Sequence, residues 1–359
     1  MAHVIWFTEC QPSDAAAVGG KNASLAAMVR AGLPVPAGFA VPADAYRKAL
    51  ADCGLAADVE SITAAADPAD PASIATAGAA ARAALASMQP PSGLADAVGA
   101  AYAQLCGQAG RADVPVAVRS SATCEDQPDA SFAGEHDTYL WVRGADSVVT
   151  HLVRCWASLF TDRAIAYRWQ MGYPTTAAAM SVGIQTMVQP RAAGVAFTLN
   201  PVNGDRSQVA IDASWGFGEA VVSGEVTPDN FLVDKVMRQV TQRTISAKAV
   251  EYCLTESDTV AARPVDPDRQ QVPCLSDPEI LAVAAMARAA EKHFGCPQDV
   301  EWALAARGRD EASVVLLQSR PETVWSRRAA PGATGTADSI ASIVATLLDP
   351  HHGRPAVAG

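Results

Sequence analysis

The chain has no apolar run long enough to cross a membrane. A spanning helix needs roughly 18–20 such residues, and none of the 359 positions starts one. The Ala-rich stretches count as hydrophobic, but alanine is weakly apolar and these stretches carry charges. The opening Met1-Ala2-His3-Val4-Ile5-Trp6 has no basic segment leading into a long apolar one, so no secretory signal is read there. The eight cysteines form no C-x-x-C pair and none stands at zinc-like spacing from a histidine pair. They read as free thiols of a cytoplasmic protein. Positive charge is scarce: 27 Lys and Arg against 38 Asp and Glu give a net charge of −11. That counts against a non-specific nucleic-acid binder. Neither nucleic acid nor membrane is an expected partner.

Half of the residues are hydrophobic and 18% are charged. Such a chain buries a sizeable core and is neither disordered throughout nor fibrous. A short strand is expected over 4–7 and a helix over 22–31, where Leu25, Met28 and Val29 recur at helical spacing. Gly32 would cap that helix, and Pro34 and Pro36 would stop it. Another helix begins near Ala43. Residues 56–112 are rich in Ala, Asp and Pro and read as a helical insertion, with helices near 73–88 and 93–108. Strands follow over 115–118 and 138–142, and then a helix over 147–169. A strand-rich block takes in 180–188, 194–198, 209–213 and 230–234. After Pro278 an amphipathic helix runs to about Phe294. Strands over 300–305 and 313–319 form a hairpin with a turn-like 306–312 between them. This mixed order predicts an α+β fold.

Several groups have the chemistry to hold a nucleotide. Gly19-Gly20-Lys21-Asn22 precedes a helix, and a lysine at a helix N-terminus can bind phosphate. The segment is not a P-loop, because Ala15 and Asn22 stand where that pattern needs Gly and Ser/Thr. A solvated lysine is the alternative. Arg119 leaves a buried strand ahead of Ser120-Ser121-Ala122-Thr123 and either binds phosphate or pairs with Glu125 or Asp126. Ser131-Phe132-Ala133-Gly134 either lets backbone approach a phosphate or is a tight turn. Trp215-Gly216-Phe217-Gly218-Glu219 is equally ambiguous. Glu301 and Gln318 lie on the two strands of the hairpin and offer the oxygen pair that Mg²⁺ takes, with waters and phosphates completing its shell. Arg320, two residues beyond Gln318, shares its face. The alternative is an exposed polar face of a hairpin.

Read together, six segments resemble the phosphoenolpyruvate synthase and pyruvate phosphate dikinase family. They are Gly19-Gly20-Lys21-Asn22-Ala23-Ser24-Leu25; Gly32-Leu33-Pro34-Val35-Pro36-Ala37-Gly38-Phe39; and Val118-Arg119-Ser120-Ser121-Ala122-Thr123 with Ala130-Ser131-Phe132-Ala133-Gly134. The remaining three are Gly218-Glu219-Ala220-Val221-Val222-Ser223-Gly224 with Pro228-Asp229; Asp299-Val300-Glu301-Trp302; and Leu317-Gln318-Ser319-Arg320-Pro321. The resemblance covers about residues 4–325. It implies a two-lobed ATP-grasp-type nucleotide-binding domain with ATP in the cleft between the lobes. The first lobe would span 1–188, the second 189–325, and a poorly ordered tail 326–359. By position, Lys21 and Arg119 would hold phosphates, and Ser131, Ala133 and Gly134 would belong to the loop covering them. Gln185, Met187 and Val188 would contact adenine. Glu301 and Gln318 would bind Mg²⁺, or Mn²⁺ in its place, and Arg320 would meet the terminal phosphates. Cys124, Gln127 and Glu135 depart from the family pattern, and Glu135 adds negative charge beside the loop.

Relatives that complete a reaction on one chain also carry a histidine in a Gly-rich Thr/Ser-His motif and an acceptor site. None of the six histidines here lies in such a motif. The expectation is an ATP-binding subunit that cleaves ATP to AMP and phosphate and phosphorylates a histidine on a separate partner subunit. This is similar to the arrangement in phenylphosphate synthase, where the acceptor is a phenol. The alternatives are the ATP-binding domain of a truncated phosphoenolpyruvate synthase or antibiotic phosphotransferase, and a non-catalytic ATP sensor.

Overall fold

A computed structural model describes residues 2–122, 126–127, 130–131, 137–172, 179–307 and 311–326. Residues 2–322 lie in one compact unit, and a second unit starts at Thr323. The expected tail over 326–359 is, apart from Ser326, outside the described residues.

In chain order, β1 (Ile5–Trp6) leads through a 3-10 turn to α1 (Ala15–Arg30), β2 (Gly38–Val41), α2 (Ala43–Asp52), α3 (Ala56–Ala64), α4 (Pro71–Ala86) and α5 (Ser92–Ala109). Then come β3 (Val116–Ala122), β4 (Asp126–Gln127), β5 (Ala130–Ser131), β6 (Thr138–Val142), α6 (Ala145–Ala157), α7 (Asp162–Gln170) and β7 (Met180–Thr186). The rest is β8 (Pro190–Phe197), β9 (Gln208–Trp215), α8 (Glu219–Val222), β10 (Asp229–Asp234), β11 (Gln239–Thr244), β12 (Val250–Leu254), β13 (Val260–Pro264), α9 (Pro267–Gln270), α10 (Asp277–Phe294), β14 (Gln298–Arg307) and β15 (Glu311–Pro321).

Two antiparallel sheets organise these elements. One has the order β1-β2-β7-β3-β6, the other β11-β10-β9-β8-β14-β15. The fold is a mixture of helices and antiparallel sheets, as expected. The first sheet shares its core with α2 to α7, through residues such as Phe39, Val118, Ile184, Leu105 and Trp156. The second packs Ile211, Val300, Trp302 and Leu304 against Ile280, Val283 and Ala287 of α10. The boundary expected near residue 188 falls between β7 and β8, one strand from each sheet. Helix α1 crosses it in the packing, because its Leu25, Ala26 and Met28 belong to the second core.

The helix ends follow from local chemistry. Asp70 caps α4 by accepting the Ala72 N–H at 2.9 Å. Ser276 and Glu279 form a capping box on α10, and Gly295 closes it with φ 70°. Several expectations differ from what is found. Helix α1 starts at Ala15, not near 22, and Arg119 lies within β3 instead of following it. The helix over 147–169 is broken, because extended Thr161 caps α7 with its hydroxyl. The hairpin strands run further than expected: 306, 307, 311 and 312 of the expected turn-like segment pair as strand, and 308–310 lie outside the described residues. Strand β11 and the β12–β13 hairpin were not anticipated. Strand β11 is largely exposed and β13 partly so, while β12 is half-buried and its one buried residue is the charged Glu251, not an apolar one.

The Pro228-Asp229 segment has a structural role. Fully buried Asp229 accepts from Lys248 Nζ at 2.6 Å, from the Ser246 N–H at 3.0 Å and from the Cys274 N–H at 2.9 Å. These bonds satisfy both charges of a buried pair and tie three segments to β10. Among the described residues no helix is long and apolar enough to cross a membrane.

Candidate active site

The β14–β15 hairpin sets up the site through one irregularity. Glu301 opposes Gln318, but the next residue, Trp302, opposes Leu316. Leu317 is therefore the extra residue of a β-bulge. In a regular strand Leu316 and Gln318 would share a face. The bulge separates them: Leu316 and Trp302 go into the core, while Gln318 lines a cavity. It also frees the Leu317 carbonyl, which accepts from Arg119 Nη1 at 3.1 Å, across 198 positions of sequence.

Pairing then aligns the polar residues in rows. Asp212 opposes Val195, Val195 opposes Glu301, and Glu301 opposes Gln318. In the adjoining row Phe197 opposes Asp299 and Asp299 opposes Arg320. Together these residues, with Val221 and Val222 of α8, line a cavity of about 210 Å³. A cavity of about 560 Å³ at the start of α10 contains none of the expected site residues. Its Arg191 and Arg243 are already paired with Glu279 and Asp277, at 2.6 and 2.7 Å.

Charge in the smaller cavity is incompletely matched. Arg320 Nε stands 3.5 Å from Asp299 Oδ2. Asp299 Oδ1 is buried and has no hydrogen-bond partner among the described residues. Burial pushes the Asp299 carboxyl up to about 6, against the pull of Arg320 and with a further push from Glu322. Burial also raises Asp212, against the Asn230 amide that donates to it at 2.8 Å. Glu219 is raised by burial first and then by Glu301, with Arg119 opposing. A group from each sheet thus acts on one carboxyl. Arg119 Nε is buried without a partner among the described residues. Sites short of positive charge, beside an arginine with a donor to spare, suit a cation and a phosphate together.

Helix α1 bridges the sheets. Gly19 interrupts it at φ 74°, ψ 163°, so the helix resumes just before Lys21. A Cβ on Gly19 would meet Ser121 Oγ at 2.4 Å and Ser121 O at 2.6 Å. Buried Asn22 donates to the Val18 carbonyl and to Ser181 Oγ, at 3.0 and 3.1 Å. Three residues past Lys21, Ser24 donates to the Ser319 carbonyl at 2.7 Å. The helix is therefore held to β3, β7 and β15 at once. Lys21 does not line the small cavity; its charge reaches the buried Cys155 thiol, which burial and Asp137 raise and Lys21 opposes.

The other expected residues are placed as follows. Gln185 is buried on β7 and donates to the Pro36 carbonyl at 3.3 Å. The Met187 N–H donates to the Pro115 carbonyl at 2.8 Å, and its sulfur accepts the Trp141 N–H at 3.0 Å. Val188 is half-buried between β7 and β8. Ser131 lies on β5, where it opposes Asp126. Ala133 and Gly134, with Cys124, Glu135 and His136, lie outside the described residues. Asp299 and Asp212 were not singled out from the sequence. Asp299 stands two residues before Glu301, a period-two signal within a quoted motif. Asp212 is a lone acid in an apolar strand, which is uncommon without a reason.

The family model of the pyruvate phosphate dikinase AMP/ATP-binding domain matches residues 15–339. The chain belongs to this family. Among curated relatives of this dikinase-family chain, a probable phosphoenolpyruvate synthase of Methanocaldococcus jannaschii is 39% identical over 327 residues, covering 91% of this chain and 27% of that protein. One from Staphylothermus marinus is 40% identical, over 90% of this chain and 42% of its own. The phosphoenolpyruvate synthase of Pyrococcus furiosus is 36% identical, over 90% and 44%. The chain thus spans less than half the length of these relatives. Among solved structures, D-cycloserine synthetase DcsG matches at 13% identity with a TM-score of 0.28, over 87% of this chain and 65% of that one, too low to carry an argument.

Proposed function

We propose that this chain is the ATP-handling unit of a dikinase-type phosphotransferase, built as a two-lobed ATP-grasp-type domain with the nucleotide between the two sheets. Lys21, Arg119 and Arg320 hold the phosphates, with Ser131, Ala133 and Gly134 in the covering loop. Gln185, Met187 and Val188 receive the adenine. Glu301 and Gln318 are the protein ligands of Mg²⁺, for which Mn²⁺ can substitute. Among the described residues no group of three or more His, Cys, Asp or Glu is arranged to hold a metal by itself. A carboxylate and an amide fit an ion that takes its remaining oxygens from water and ATP phosphates. When bound, such an ion draws charge from the phosphate oxygens. The protein's part is to fix the phosphates with Arg119 and Arg320 and to orient the ligands through the Leu317 bulge.

The observation that carries this reading is the placement of Asp299, Glu301, Gln318 and Arg320 on one sheet face, in a chain of this family. ATP would yield AMP and phosphate, with one phosphoryl group passing through a histidine to a small acceptor. Two readings place that histidine. It lies on a separate partner subunit in the cytoplasm, as the resemblance to phenylphosphate synthase implies. Alternatively, this chain is the ATP-binding portion of a phosphoenolpyruvate synthase. The second is favoured by the relatives' names and by the fraction of their length that is matched. Incubation with ATP, Mg²⁺ and a candidate histidine domain tests both. AMP and an acid-labile phosphoprotein are expected. ADP as sole product overturns the dikinase reading. Whether a domain from a phenylphosphate synthase or from a phosphoenolpyruvate synthase is labelled separates the two.

A further inference from the structure

A second contact joins the two sheets at the segment assigned to the adenine. Strand β6 is irregular there: Val116 pairs with Val142, but Val118 pairs with Tyr139. The extra residue bends the strand and re-aims Trp141. Trp141 takes φ 60°, which large side chains rarely adopt. Its backbone N–H donates to Met187 Sδ at 3.0 Å, and its indole Nε1 donates to Asp258 Oδ1 at 3.0 Å. Arg143 pairs with the other oxygen of the same carboxylate.

Asp258 sits at the tip of the β12–β13 hairpin, also in the left-handed region, at φ 60°. Among the described residues, two of the three non-glycine positions with positive φ therefore touch each other. Such strain persists where the surroundings over-determine it, which is common at ligand clamps. The hairpin is rooted on the other sheet. Tyr252 O accepts the Phe217 N–H at 2.9 Å, and a Cβ on Gly216 would meet that same oxygen at 2.1 Å. The Phe217 ring stands edge-on to Trp141, with centroids 5.8 Å apart.

We infer that Asp258 is a positioning residue for the nucleotide base. Rooted beside β9 and latched to β6, the hairpin holds Trp141, and Trp141 holds Met187. This rests on the reading above, in which Met187 lies against adenine. Asp258 is half-exposed and belongs to neither core. Its removal leaves the packing intact but strips the acceptor from the buried indole N–H and the counter-ion from Arg143, whose Nε has no partner among the described residues.

Calorimetric titration with MgATP and with magnesium inorganic triphosphate, on wild type, Asp258→Ala and Asp258→Asn, tests this. Asp258→Ala should weaken ATP binding about fivefold, the low end of coupling between distinct sites. Binding of triphosphate, which has no base, should not change. Asp258→Asn keeps an acceptor for the indole and should recover most of the ATP affinity. Equal weakening of both ligands, or none of either, overturns the inference. A wild-type chain that binds neither ligand overturns the functional reading itself. Hydrogen exchange over 250–264 then judges the clasp separately, since only a real latch slows it relative to Asp258→Ala.

Discussion

Along β14, Val300, Trp302 and Leu304 alternate with Asp299 and Glu301, and the two sets meet opposite surroundings. The first set is buried against α10 and packs by volume. The second lines a cavity in which Asp299 is held neutral up to about 6 and one of its oxygens has no described partner. One face lowers the free energy of the fold. The other carries charges whose burial raises it, which is the cost the proposed cation and phosphate site would impose. The comparison separates residues that keep the sheet folded from residues proposed to make it reactive, though they are neighbours in sequence.

The largest effect should come from the packed face. Trp302 is fully buried, and Trp302→Ala should cost about 3–5 kcal/mol in urea unfolding. Its Nε1 has no described hydrogen-bond partner, so Trp302→Phe should cost clearly less. Equal losses would mean the indole nitrogen is held by something other than packing. On the reactive face, Glu301→Ala should leave stability within about 1 kcal/mol. Mg²⁺-dependent AMP formation should fall by about 100-fold or more, as when a group acting on transition-state charge is lost. Retained activity would remove Glu301 from the metal site.

Some of this division was legible in the sequence. The hairpin, its polar pair and Arg320 follow from strand periodicity and from motifs in family order. The bulge does not. The run Val314-Val315-Leu316-Leu317 is apolar throughout, so nothing marks which residue is extra, and the bond from Arg119 to Leu317 is too distant for any local pattern. Gly19-Gly20 signals a break, but not that Gly19 alone takes positive φ against Ser121. The β12–β13 hairpin is not legible because the residue it buries is the charged Glu251, while much of β13 and the tip are exposed. It nevertheless carries Asp258, since a latch needs a polar tip and no apolar alternation.

Helix α1 extends the comparison, because it places Leu25 and Met28 in the core and Lys21 toward the first sheet. Gly19→Ala combines an unfavourable φ with a clash against Ser121 backbone, and should cost about 1–3 kcal/mol. Gly32 has a similar φ of 72° with nothing within 4 Å of an added Cβ. Gly32→Ala should cost about 1 kcal/mol, from conformation alone. Equal costs in thermal or urea unfolding would show that the approach to Ser121 does not hold the helix.

The smallest effect tests the reactive face by pH. Burial raises the Asp212 carboxyl, against the Asn230 amide. An unfolded chain releases this proton near 3.9, and the folded chain holds it to higher pH. As pH rises above about 3.9 the unfolded state ionises first, so stability falls until the folded carboxyl has also ionised, and the loss then stays constant. Asp212→Asn keeps the acceptor that Asn230 uses at 2.8 Å and removes the titration. Its melting temperature should equal that of the wild type near pH 3, where both side chains are neutral. At pH 7 it should exceed the wild type by on the order of 1 °C. The same variant should bind MgATP less tightly, because the cavity loses a negative charge. Stability gained and affinity lost by one substitution is what a face kept for function requires. A variant less stable than wild type at pH 7 would mean that the Asp212 carboxylate is already satisfied within the fold, and that the two faces differ less than their residues imply.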